Sequence, residues 1–347
     1  MKAALLAEYH SDWIVDEVPD PVITDPQDVI VRVGAAGFCR TDVHLWDGQL
    51  DESVQAGGGL PHVCGHENAG WVQEVGEGVR HIAVGDPVLL HGMATCGHCR
   101  ACRGGDDSHC VNASFPGLSG PGGFAQYVKT NARACVPLPE GVTPLDVGPL
   151  ACGGITAYRA VKKAQPLAYP GSRTVVIGAG GLGHIGIQCL RALTETEIIV
   201  VDRSEAALSH AREWGAEHVF TAREDGSHVA EINALTGGAQ VVLDFVGEGG
   251  AQNEAVQLLG HNGVDFLVGY GGKLEVQILE QALGPETSFV GCILGTYNEM
   301  VELVAMVQRG AVTLAKTTFP LEGVNDAFHA LEEGRMIGRG VLVPNQR

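Results

Sequence analysis

The sequence predicts an α/β fold in two domains, a doubly wound parallel sheet and an irregular β-barrel. Three observations carry this. The chain has 347 residues, more than a single core of roughly 250–300 residues organises. Its first 140 residues hold short alternating runs broken by glycine and proline turns. From about residue 150, aliphatic runs alternate with helical patterns.

In chain order, DVIVRVGAAG (28–37) reads as a strand, with Val29, Val31 and Val33 alternating with Ile30 and Arg32. GWVQEVGEGV (70–79) alternates likewise and ends in a Gly-Glu-Gly turn, and GDPVLLH (85–91) is a further short strand. The rhythm then changes. TVVIGAG (174–180) is a buried strand, GLGHIGIQCLRAL (181–193) a helix, EIIVVDR (197–203) the next strand, and SEAALSHAREWG (204–215) a helix closed by Gly215. HVF, VAEINALTGG and AQVVLDFVG continue the alternation, and VDFLVGYGG (264–272) and TSFVGCILGT (287–296) complete it. Strands alternating with helices imply a parallel sheet. NEMVELVAMVQRGAV is an amphipathic helix, and the remaining tail returns to the first domain. The expected division is therefore 1–150 with 295–347, and 151–294.

A net charge of −19 and a pI near 5.0 argue against nucleic acid and anionic membrane as partners. No apolar run approaches the roughly 18 residues of a membrane span. The N-terminal MKAALLAEYHSDWIVDE has one early lysine and a short apolar run broken by Glu8, unlike a signal peptide. A cytoplasmic protein is expected, in which ten cysteines serve as metal ligands or core thiols rather than disulfides.

Gly178-Ala179-Gly180-Gly181-Leu182-Gly183 is G-x-G-x-x-G, a weak signal alone among 49 glycines. Here it follows an aliphatic strand, opens a helix, and precedes a strand ending in Asp202, 24 positions after Gly178. That context is the Rossmann dinucleotide fingerprint. Gly178 makes the turn, Gly180 lets the backbone reach a pyrophosphate, and Gly183 lets helix and strand pack; the helix N-terminus faces the phosphates. Asp202 accepts hydrogen bonds from ribose hydroxyls and repels a 2′-phosphate, favouring NAD over NADP, although Arg203 softens that preference.

ATCGHCRACRGGDDSHC (94–110) spaces Cys96, Cys99, Cys102 and Cys110 as C-x2-C-x2-C-x7-C. Four thiolates on a polar, glycine-bearing loop suit tetrahedral zinc with no open position, hence a structural rather than a catalytic ion. An iron–sulfur cluster uses the same ligands, and spacing alone does not exclude it. Chemistry is then expected elsewhere, around GFCRTDVH (37–44), CGHENAG (64–70) and PLACGGITAYRAV (149–161). Cys135, Cys189 and Cys292 read as core thiols, and Cys64 also, despite its place beside His66.

Together these stretches resemble the zinc-dependent medium-chain alcohol dehydrogenases over nearly the whole chain. Gly37-Phe38-Cys39-Arg40-Thr41-Asp42 matches the family's first-ligand motif, Gly65-His66-Glu67 its G-H-E motif, and the four-cysteine lobe its structural zinc site. The resemblance implies a GroES-like barrel as catalytic domain and two zinc ions per chain. The catalytic ion is held by Cys39, His66 and Cys152, with Glu67 near the metal and Asp42 orienting His66. Arg40 and Arg339 correspond to arginines that meet the cofactor pyrophosphate, and Val268-Gly269-Tyr270 lies along the nicotinamide.

The resemblance also implies a mechanism. Hydride leaves an alcohol carbon when its oxygen carries negative charge, yet an alcohol pKa of ~16 makes alkoxide scarce; zinc brings a bound oxygen toward ~7. Thr41 then hydrogen-bonds the substrate oxygen, and His44 stands where the family's proton relay ends. Trp46, Leu50, Tyr270 and Leu294 are expected to wall an apolar pocket for a secondary or aromatic alcohol and its ketone or aldehyde, with 49–63 as a flexible lid. Two alternatives stay open: a polyol, sugar or formaldehyde dehydrogenase of the same superfamily, and a non-catalytic NAD-binding zinc protein. A homodimer or homotetramer is expected through edge strands such as TSFVGCILGT.

Overall fold

A computed structural model describes residues 1–345. The chain divides into two compact units, one of Met1–Ile155 together with the chain from Leu294 onward, the other of Thr156–Ile293.

The second unit is built on a six-stranded, all-parallel sheet. Across it run His218–Thr221, Glu197–Asp202, Arg173–Ile177, Ala239–Asp244, Leu259–Leu267 and Ser288–Gly291. In chain order that is 3-2-1-4-5-6, the doubly wound arrangement whose order reverses beside the first strand, where ligands bind at the strands' carboxyl ends. The strands read as continuous aliphatic runs because helices cover both faces. Val175, Ile177, Ile199, Val201 and Val242 pack with Ile232, Ala255 and Leu258 from the helices.

Helix boundaries follow local chemistry. Glu205–Trp214 starts at Ser204, whose Oγ accepts from the Ala207 N–H at 3.3 Å. It ends at Gly215 with φ 117°, a left-handed conformation favouring glycine. Two expected strands end before the apolar runs that suggested them, and the first also begins earlier, at Leu259. The run at 264–272 ends its strand at Leu267, and the run at 287–296 pairs only over Ser288–Gly291. Between them lies a short π-helical turn, Ile278–Leu283, which the sequence pattern did not reveal.

In the first unit a seven-stranded sheet is organised by Asp28–Gly37. That strand pairs along its length with Glu67–Val75, over Asp28–Arg32 with Tyr127–Asn131, and at Ala36–Gly37 with Arg339–Val343. Lys316–Pro320 lies outside Arg339–Val343, while Pro87–Leu90 and Cys135–Pro137 continue from Glu67–Val75. A three-stranded sheet of Ile14–Glu17, Lys2–Leu6 and His62–Val63 is tied to this unit by a bridge between Ala3 and Ala125. Phe38, Phe124, Phe328, Leu6 and Leu45 fill the interior. The expected lid contains a helix, Asp51–Ala56, held by a 2.5 Å hydrogen bond from Tyr9 Oη to Asp51 Oδ1 and by buried Val54. A packed helix occupies part of the segment expected to be flexible.

Candidate active site

Strand Asp28–Gly37 delivers Cys39 to the N-cap of helix Arg40–Trp46. At that helix start Cys39 N–H donates to Asp42 Oδ2 at 2.9 Å, so a carboxylate satisfies an otherwise orphaned donor. Asp42 is fully buried, and its other oxygen lies 3.4 Å from His66 Nδ1. One carboxylate thus ties the helix start to the imidazole.

Gly65 turns the chain into His66 with φ 94°, and Glu67 opens strand Glu67–Val75 opposite Gly37. Glu67 accepts from the Gly153 N–H at 2.9 Å through Oε1, and its Oε2 pairs with Arg339 Nη2. Both side chains of that pair are almost fully buried. Cys152 stands immediately before helix Gly153–Ala164. One donor atom from each of Cys39, His66, Glu67 and Cys152 lies within 4.8 Å of the others.

The electrostatics fit a cation. The Cys39 thiol is held well below the ordinary range, first by a hydrogen bond with Cys152 and then by His66, against the effect of burial. Burial works against charge on the His66 ring, but Asp42 and Cys39 raise its pKa well above the usual value. Burial pushes Glu67 up to about 7, although Arg339 opposes it. Neither ring nitrogen of His66 makes a hydrogen bond of standard geometry. Two thiols, an imidazole and a carboxylate converging in a buried site match the donor set of zinc, whose tetrahedral ligands lie about 3.3–3.8 Å apart.

A second cluster is formed by Cys96, Cys99, Cys102 and Cys110, again within 4.8 Å. Cys110 Sγ is 3.6 Å from Cys96 Sγ. Backbone N–H groups of His98 and Cys99 pull the Cys96 thiol down to about 5, while burial pushes the Cys102 thiol up to about 12. Gly97 and Gly105 take positive φ of 76° and 78° as the chain wraps. All four donors are sulfur, a set that closes a zinc shell.

In the sheet unit, Gly178 turns with φ 92°, a Cβ on Gly183 would strike the Gly178 carbonyl, and a Cβ on Gly180 would meet nothing within 4 Å. Gly180 is thus the open glycine of the turn. Gly181 and Leu182 lead into helix Gly183–Leu193, with Leu182 at its N-cap. Asp202, ending its strand, accepts from Ala179 N at 2.7 Å and Ser204 N at 2.8 Å, which fixes the carboxylate beside the fingerprint. Arg203 is exposed. Val268 is buried, its N–H on the Asp244 carbonyl at 3.1 Å.

Other expected residues fall as follows. Thr41 Oγ1 is 3.7 Å from Cys39 Sγ. Arg40 is exposed at the helix start. His44 is buried, with Nδ1 3.8 Å from Asp47 Oδ2. Trp46 does not wall a pocket: it packs on Phe328, with ring centroids 5.1 Å apart, and donates Nε1–H to the Ser11 carbonyl. Leu50 packs on the same core. Sequence reasoning missed Arg339 as the partner of Glu67, since 272 residues separate them, and it missed Asn68, whose only signal was its place after G-H-E.

Comparison with known proteins agrees with this geometry. Residues 25–140 match the family model for the alcohol dehydrogenase GroES-like domain, and 181–309 the model for zinc-binding dehydrogenases. An NAD-dependent alcohol dehydrogenase of Sulfurisphaera tokodaii is 32% identical over 352 residues, covering 99% of this chain and 100% of the relative. A D-arabinose 1-dehydrogenase (NADP(+)) of Saccharolobus solfataricus is 34% identical over 353 residues, covering 99% and 97%. The crystal structure of the alcohol dehydrogenase from the hyperthermophilic archaeon Aeropyrum pernix superposes with a TM-score of 0.94 at 42% identity, covering 99% of this chain and 100% of that one. The chain belongs to the zinc-dependent medium-chain alcohol dehydrogenases.

Proposed function

We propose that the protein is an NAD-dependent dehydrogenase that interconverts a secondary or aromatic alcohol with its ketone or aldehyde. The convergence of Cys39, His66, Glu67 and Cys152 carries this reading. Zinc held by Cys39, His66 and Cys152 would supply Lewis-acid polarisation of the substrate oxygen. Asp42 keeps the His66 Nδ1 side occupied, so Nε2 presents its lone pair to the site. Arg339 balances the charge of Glu67, whose carboxylate stays close to the ligands. Thr41 holds the hydroxyl proton of the substrate beside Cys39, and His44, backed by Asp47, receives it. Cys96, Cys99, Cys102 and Cys110 brace their loop around a second zinc.

For the cofactor, Gly178, Gly180, Gly181, Leu182 and Gly183 form the phosphate turn, and Asp202 takes the adenosine ribose. Arg203, Arg40 and Arg339 would meet phosphate charge, and Val268 would lie along the nicotinamide, whose chemistry when bound is hydride exchange with a substrate carbon. Of the apolar residues expected to meet substrate, buried Leu294 and exposed Tyr270 carry the reading of an apolar substrate, since Val43, Leu45, Trp46 and Leu50 belong to the core. The D-arabinose 1-dehydrogenase relative favours a second reading, a sugar or polyol substrate.

A homodimer or homotetramer is part of the same reading. Strand Ser288–Gly291 is an open sheet edge, and Ile278, Leu279, Leu283 and Ile293, near it in the chain, are each at least 64% exposed. Ten cysteines without a disulfide suit a reducing cytoplasm; among the described residues no helix is long and apolar enough to cross a membrane. The test is NAD+ reduction with primary, secondary and aromatic alcohols and with sugars, with and without chelator. Chelator-sensitive oxidation of secondary or aromatic alcohols is expected. Turnover of sugars alone would favour the second reading, and no turnover with any substrate would refute both.

A further inference from the structure

Three consecutive carbonyls lead into the metal-ligand histidine, and each is held from one short segment. Val63 O accepts from Gly122 N at 2.8 Å, Cys64 O from Phe124 N at 3.0 Å, and Gly65 O from Gly123 N at 2.8 Å. Gly65 O also accepts from Asn68 Nδ2 at 2.9 Å, a buried side chain reaching back across His66 and Glu67. The same segment touches the peptide bond of His66 itself: a Cβ on Gly117 would meet Gly65 C and O and His66 N, and one on Gly122 would meet Cys64 O and Gly65 O. The buried imidazole of His62 faces the Gly117 backbone, and Gly117 N closes its own turn on Gly120 O at 2.7 Å.

The physical consequence is specific. Backbone can lie this close to backbone only where side chains are missing; Gly117 and Gly122 supply that surface, and Gly123 leaves room for the Asn68 carboxamide. A rigid peptide at Gly65–His66 fixes where the imidazole begins, while Asp42 fixes only how its ring is turned. Metal ligands need both kinds of restraint.

We propose that the glycine strap Gly117–Gly123 and the Asn68 carboxamide are positioning elements that set the His66 backbone for metal binding. This rests on the assignment of His66 as a ligand. Asn68→Ala removes the side-chain hydrogen bond to Gly65 O. Gly123→Ala places its methyl on the Asn68 carboxamide and displaces it with no left-handed strain, since Gly123 is not among the positive-φ glycines. Gly141→Ala is the control, a positive-φ glycine at 86° with nothing near its Cβ.

The experiment follows zinc release from the purified holoenzyme into excess chromogenic chelator, alongside thermal melting. Wild type should release two ions in separable phases, and Cys39→Ser should lack the catalytic one. In Asn68→Ala and Gly123→Ala the catalytic phase should quicken about tenfold, in line with losing an outer partner of a ligand, while the other phase and the Gly141→Ala protein keep wild-type rates. Two wild-type phases with a catalytic phase indifferent to both variants would overturn the clamp alone. Equal acceleration of both phases with a falling melting temperature would also overturn it, as ordinary structural damage. A wild type releasing one ion, untouched by Cys39→Ser, would overturn the ligand assignment and the clamp with it.

Discussion

Asp265→Asn should make the protein more resistant to alkaline conditions. Asp265 sits in strand Leu259–Leu267, paired to Val242 on one side and Phe289 on the other. It is fully buried, and neither carboxylate oxygen has a hydrogen-bond partner. Burial first, and then the charge of Asp244, push its pKa from 3.8 up to about 8. Asp244 offers no relief: Val246 and Gly247 N–H groups hold its Oδ1, while Oδ2 is unpaired. With the folded pKa above the unfolded one, the folded chain binds more protons between those values. Stability from this group is therefore full below about pH 4, falls as pH rises, and levels off above about pH 8. Roughly four pKa units at ~1.36 kcal/mol each set a ceiling of about 6 kcal/mol, a large share of a typical stability of about 5–15 kcal/mol. Asparagine is nearly isosteric and stays neutral. If a third of the ceiling is realised, about 2 kcal/mol, the variant should melt about 3 °C above wild type at pH 8.5 and at nearly the same temperature at pH 4.5. The assay is thermal unfolding across pH 4.5–9. A constant offset between the two proteins at every pH, or no offset anywhere, would refute the reasoning.

Three further outcomes follow from the sites. Cys39→Ser should nearly abolish turnover while leaving NADH affinity largely intact, measured by steady-state kinetics and NADH fluorescence titration; full turnover would remove Cys39 from the ligand set. Cys99→Ser should lower the melting temperature, because an open shell no longer braces its loop; lost turnover with unchanged melting would contradict a closed site. Arg339→Met strands the buried Glu67 carboxylate and should cost about 3–5 kcal/mol in denaturant unfolding, whereas Arg339→Met with Glu67→Gln should recover part of it. Additive losses in that double variant would count against the ion pair.

Much of the site was readable because its signals are local. The four cysteines at 96–110 lie on one loop, and the only question their spacing left was which ion they hold. The fingerprint was readable for the same reason, since strand, turn, helix and acid occur within 25 residues of one another from Gly178 to Asp202. Asp42 is likewise legible at short range, because a carboxylate three residues after Cys39 falls where a helix start needs an acceptor. Trp46 shows the limit. A tryptophan near a metal ligand reads equally well as pocket wall or core, and only packing against Phe328 decides for the core.

By itself, then, the amino-acid order determined the alternation that makes a doubly wound sheet, the glycine turn at 178–183 and the identity of the metal donors, because these depend on neighbours a few bonds or one helical turn away. Tertiary structure alone decided that Arg339 neutralises Glu67, that Gly117–Gly123 lies against the backbone of His66, and that Asp265 is sealed in the sheet. Those outcomes turn on distances between residues 51 to 272 positions apart or on burial. Burial sets the cost of a charge, and a sequence does not state which of its polar side chains will lose water.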